Sequence, residues 1–337
     1  MEPKSIAFYT AVAISILAVT SATIFPTLVQ IVQAEPTAEE NTAAAADNGD
    51  NGDNSSQQSA AEPEETDDEA TEEDTGDAAE DDDNSDAATG PTNSLRLAES
   101  QQAMACGTVV TEPDTEVSLS NDINCGPGDG DGITVLADNV RILLNGHTIS
   151  SGASDSDLGD SAPNFAGGSG VVVSGAEGVT ISGEGEINGF ETGVKFIGSN
   201  GGGVSGVSLE DNNVGALISN SQNVELSKNT ANDNGAGMIA QSSNGVVIIL
   251  NQIMANEEGI LFQNADDGVV VANNILGNEF NGYQADLRSE RNRIDYNIAV
   301  QNGVDLSNDN LPPDVNQNSY GMHNVCNTSS PEGLCPS

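Results

Sequence analysis

Basic side chains are scarce in this chain of 337 residues: eight Lys and Arg stand against 53 Asp and Glu, a formal net charge of −45. A surface that acidic repels phosphate backbones, which excludes nucleic acid and leaves cations and neutral or basic surfaces as partners. Histidine is nearly absent. His147 and His323 are the whole supply, and a lone His without a second His, Cys or Met cluster is a poor copper site. The four cysteines lie at spacings too long for a zinc set. Paired locally, as Cys106–Cys125 and Cys326–Cys335, they would staple both ends of an ordered region in an oxidising compartment. Spacing alone leaves the two other connectivities open.

Large hydrophobic residues are almost missing from residues 35–98, which hold Leu95 and Leu97 and carry 21 acidic side chains against Arg96 alone. Such a segment buries too little apolar surface to offset its chain entropy, so a disordered acidic linker is expected there. Ahead of it, Lys4 precedes an apolar run from Ile6 to Phe25, then Pro26 and a stretch ending Val32-Gln33-Ala34. Residues 1–34 read as a signal peptide cleaved ahead of Glu35, or as an N-terminal membrane anchor, the only membrane contact expected. Either places residues 99–337 outside the cytoplasm, as an extracellular or cell-surface domain. That domain holds 31 acidic and six basic residues.

Within the domain a glycine followed by alternating apolar residues recurs at Gly170, Gly193, Gly215, Gly237, Gly259, Gly282 and Gly303. The period is about 22 residues, and such a period marks a solenoid. Gly132 opens the same pattern one turn earlier, with residues 151–166 as an inserted loop. Further on, alternating pairs such as Val224/Leu226, Val246/Ile248 and Val269/Val271 predict a second strand per turn. An Asn follows each, at Asn212, Asn229, Asn251, Asn274 and Asn297, and reads as one structural ladder of stacked corner amides. The fold expected is all-β, a parallel β-helix of about eight coils.

The stretch Asn139 to Gly152, NVRILLNGHTISSG, and the coils after it resemble right-handed parallel β-helix proteins of the pectate-lyase-like superfamily. The resemblance covers residues 106–310. It implies a right-handed solenoid, in keeping with the general hand of parallel crossovers. It also implies that Asn145-Gly146-His147-Thr148 closes a coil rather than performing chemistry. Activity does not follow, since the superfamily holds lyases, hydrolases, epimerases and adhesins.

Lyases of that superfamily use acidic Ca²⁺ ligands with an Arg or Lys base. The nearest constellation here is Arg288, Arg291 and Arg293 with Asp286, Asp295 and Tyr283, and a charged outer face explains it as well. Asp266-Asp267-Gly268 matches only part of the hydrolase set. Asp129 and Asp131 in a glycine loop, with Asp155, Asp157 and Asp160 soon after, are the candidate ligands for calcium. Val172, Leu217, Ile239 and Leu261, with Val247 and Val270 on a second sheet, predict an apolar outer stripe for self-association or a surface protein. The function expected is non-catalytic: adhesion, envelope structure or polysaccharide binding. A Ca²⁺-dependent polysaccharide lyase or hydrolase and a protein assembly module are the alternatives.

Overall fold

Each coil turns its corners on residues in the left-handed region. The strand Val247–Ile249 ends at Leu250 (φ 61°), Gln252–Met254 ends at Ala255 (φ 56°), and Glu258–Gln263 ends at Asn264 (φ 54°). Three strands therefore make one turn, and the next turn starts at Val269–Val271. The computed structural model describes residues 99–100, 104–126, 128–152, 166–309 and 313–337. The leader, the acidic linker and the loop carrying Asp155, Asp157 and Asp160 lie outside the described residues.

Stacked coils build three parallel sheets among the described residues, of ten, eight and ten strands. Sheet 1 runs from Glu99–Ser100 to Ser319–Tyr320, sheet 2 from Ile123–Cys125 to Ile298–Val300, and sheet 3 from Thr108–Val110 to Ser329–Ser330. The architecture is the all-β parallel solenoid expected. It has more turns than the eight expected, because strands at both ends lack the glycine signal. Register is strict: Ala216 pairs with Met238, Met238 with Ile260, and Ile260 with Tyr283. Those side chains are fully buried in one row, each large one stabilising by about 1.5–3 kcal/mol.

The recurring glycine is needed because backbones crowd it. A Cβ on Gly237 would come within 2.8 Å of the Gly259 carbonyl oxygen one coil away. Gly303 is outside this column. Val304 pairs with Asn281 and Leu306 with Tyr283, so Asp305 follows Gly282 in the column.

Buried asparagines line two corners, which corrects the single ladder expected. In the first, backbone N–H groups of Val207, Asn229, Asn251, Asn273 and Asn297 each donate to the next coil's Asn Oδ1, ending at Asn324. In the second, Phe190, Asn212, Asn234, Asn256 and Asn278 do the same, ending at Asn302. Asn212 thus belongs to the second ladder, and Asn273 takes the place assigned to Asn274. Asn274 sits in the strand Asn274–Leu276, its N–H paired with the Asn251 carbonyl at 2.9 Å.

Disulfides join Cys106 to Cys125 and Cys326 to Cys335, beside the first and last coils. No cysteine is free among the described residues. Two disulfides mark an exported chain.

Candidate functional site

The basic constellation divides into four parts. Asp286 is a corner acceptor: its Oδ1 receives the backbone N–H of Asn264 at 3.0 Å, that of Arg288 at 3.1 Å and the Ser289 hydroxyl at 2.7 Å. Arg291 is held by Asp267 through Nε at 2.7 Å and Nη2 at 2.9 Å, with Glu290 and Asp266 at 3.0 and 3.4 Å. Those carboxylates push its pKa up, and the guanidinium in turn holds Asp267 below the usual carboxylate range. Tyr283 lies wholly inside the solenoid, and burial pushes its phenol well above its ordinary value. It takes no part in a surface site.

Arg293 and Asp295 remain, on the outer side of sheet 1. There the coil register adds two residues that the sequence pattern did not single out. Asp295 is 8% exposed, and its Oδ1 accepts the N–H of Tyr296 at 3.0 Å and the N–H of His323 at 3.3 Å. The His323 ring approaches the same oxygen through Nδ1 at 3.2 Å, and Arg293 Nη2 lies 3.6 Å from Oδ2. A carboxylate partner at Nδ1 favours the tautomer with its proton there, which turns the Nε2 lone pair outward. The rings of Tyr296 and His323 stack at 4.1 Å with 4° between planes. Tyr296 precedes ladder residue Asn297, and His323 precedes Asn324, so one corner row carries both rings in successive coils. Gly321 makes the nest: a Cβ there would overlap the Asp295 carboxylate, at 2.1 Å.

Apolar residues lead to this cluster. By register Val247, Val269 and Arg293 form one outward row, and Ile249, Val271 and Asp295 another. Val247, Ile249 and Val269 are part-exposed, whereas Val271 is fully buried. Val270 is not on this face; it follows Leu226 and Ile248 in the inward row and is fully buried. On sheet 3, Leu217, Ile239 and Leu261 follow one another outward and are part-exposed. Lys195 separates them from Val172, which is 8% exposed.

The remaining candidates are occupied by structure. Asp129 folds back on the Gly126 N–H at 2.6 Å, and Asp131 Oδ1 accepts the Ser169 N–H at 2.8 Å. His147 Nδ1 meets Asp122 at 3.1 Å, where Asp122 also takes the Thr148 N–H at 3.0 Å. Among the described residues no three His, Cys, Asp or Glu side chains converge as metal ligands.

Comparison with known proteins gives a family and a set of structural neighbours. Solved structures similar to the chain include a mutant of the periplasmic alginate epimerase AlgG, at 14% identity and a TM-score of 0.37, covering 59% of this chain and 55% of that one. They also include the enzymatically active domain of tailspike protein 2 of bacteriophage CBA120, at 16% identity and a TM-score of 0.45, covering 67% and 36%. A third is the A-module of the Azotobacter vinelandii mannuronan C-5 epimerase AlgE4, at 11% identity and a TM-score of 0.30, covering 67% and 90%. The chain thus spans about half of the AlgG structure it matches. No curated protein sequence matches it. The family described as "Periplasmic copper-binding protein (NosD)" matches residues 129–329. That is well over half of the sequence, and the chain belongs to the periplasmic copper-binding protein (NosD) family.

Proposed function

We propose that this protein is a non-catalytic, exported β-helix that binds an extended neutral carbohydrate along the outer face of sheet 1, in the periplasm or at the cell surface. The observation that carries the reading is a set of part-exposed outward residues, Val247, Val269 and Arg293 in one row with Ile249 beside them. They supply an apolar shelf that ends in hydrogen-bonding groups. Pyranose chains present apolar C–H faces and hydroxyl edges, so they need that combination. The surrounding acidity disfavours polyuronates. Acid–base cleavage of a glycoside needs two carboxylates across the bond. The cluster supplies Asp295, which is already engaged by Tyr296, His323 and Arg293.

The family description names copper, and the donors here do not fit a copper centre. His147 and His323 each face a carboxylate, at opposite ends of the coil stack, and all four cysteines are in disulfides. Copper prefers several convergent imidazole or sulfur ligands.

Incubating the full chain with neutral and acidic polysaccharides, with and without Ca²⁺, tests the proposal. Co-sedimentation with neutral polymers and no new chain ends is the expected result. New reducing or unsaturated ends that vanish on Arg293→Ala would replace it with an enzyme.

A further inference from the structure

The stacked rings of Tyr296 and His323 have no counterpart in the coils before them. The same corner row holds Lys228, Leu250 and Ala272, each at positive φ like Tyr296. A ring stack is therefore not what this corner requires. Among the described residues neither His323 Nε2 nor the Tyr296 hydroxyl has a hydrogen-bond partner. The His323 side chain is 57% exposed, whereas the carboxylate that aims it is 11% exposed. The arrangement fixes a flat ring at the surface with one nitrogen outward, beside a guanidinium that keeps free N–H groups.

We infer that the Tyr296–His323 pair is a stacking platform for a single pyranose unit, with Arg293 and His323 Nε2 hydrogen-bonding its hydroxyls. This inference rests on the carbohydrate reading of sheet 1 and names its anchoring subsite. A planar, pre-set platform holds its ligand with little ordering cost, because Asp295 has already fixed the imidazole. Asp295 acts as a positioning residue: it touches Tyr296, His323 and Arg293. The apolar shelf of Val247, Ile249 and Val269 then carries the following units of the chain.

The test is calorimetric titration of the full chain with cellohexaose, maltohexaose, chitohexaose and a galacturonate hexamer. One neutral hexamer should bind, and the uronate should bind more weakly. Tyr296→Ala and His323→Ala should each lower that affinity roughly tenfold, a loss of the size a ring contact supplies. Tyr296→Phe should stay near wild type. Ala272 already occupies the same corner at φ 58°, so alanine at Tyr296 suits the fold. An unchanged thermal midpoint confirms that. If the wild type binds a neutral hexamer and both alanine variants bind it equally well, the platform is wrong while the sheet 1 reading stands. Failure of the wild type to bind any neutral hexamer overturns both.

Discussion

Asp305 receives both N–H groups of Asn302, the backbone one at 3.1 Å and the side-chain one at 3.0 Å, and so terminates the second asparagine ladder. Its other oxygen takes the N–H groups of Asn327 at 2.8 Å and Thr328 at 3.0 Å. One buried carboxylate therefore satisfies the last coil on two sides. Asp305→Ala should destabilise by about 3 kcal/mol or more, since several buried donors lose their acceptor together. Urea denaturation would show it, and a loss below about 1 kcal/mol would mean that water replaces the carboxylate.

The ladder makes a sharper prediction at two adjacent residues. The Asn273 side chain donates to Ile248 and Val271 carbonyls and to Asn297, and its Oδ1 accepts from Asn251. Asn273→Ala should cost about 2–4 kcal/mol, from the donors and acceptors it orphans. Asn274→Ala should cost clearly less, about 1 kcal/mol, because Asn274, though buried, makes none of the ladder's side-chain hydrogen bonds. Equal losses in chemical denaturation would contradict the assignment of the ladder.

Two aspartates should move stability in opposite directions with pH. Asp233 has a raised pKa, from desolvation and then from Asp211, so its ionised form opposes folding. That penalty is absent below the ordinary carboxylate value of 3.8 and sets in as pH rises through the folded value. Asp233→Asn should raise the thermal midpoint at pH 7 by no more than about 2 °C and leave it unchanged near pH 3. Asp267 is lowered by Arg291, so its contribution is present above the ordinary carboxylate value of 3.8 and fades as pH falls through the folded value. Being exposed, Asp267→Asn should cost only a few tenths of a kcal/mol at neutral pH. Midpoints measured from pH 3 to 7 decide both signs.

Self-association is the second use we propose for an outer face, here the stripe on sheet 3. If Leu217, Ile239 and Leu261 meet a second copy, replacing all three with Ser should lower the mass found in sedimentation. A wild type already monomeric at high protein concentration would end that idea.

The glycine period and the alternation in sheet 3 made the solenoid legible, because each coil repeats the same crowding. Register in sheet 1 was harder to read. The run Val269-Val270-Val271 has no alternation, so periodicity cannot say which residue points inward. The corner valine of the neighbouring coil, Val246, is replaced by Gly268, whose missing side chain leaves room for the Phe262 ring. The Val269/Val271 pair then looks like the missing strand. A similar gap at Gly202 and Gly203 leaves Val207 and Leu209 as the visible apolar pair where Val204 belongs by register, which puts Asn212 in the wrong ladder. The surface cluster was legible only in half. His323 and Asp295 stand 28 residues apart, across a coil longer than the usual period, and no local motif links them.

The 22-residue coil also has a consequence for ancestry. Its side chains bond to the turn before and the turn after, so an in-frame duplication of one coil would extend every row without disturbing the ladders. The cysteine pairs lie at the two ends of the stack, one of them including Cys125 in the first coil, and the Tyr296–His323 corner sits near the other end. Reach along the rod can therefore change by copy number while its termini and its polar end stay as they are. On the carbohydrate reading proposed above, relatives with more or fewer turns would differ in the length of chain they hold and keep the same polar end.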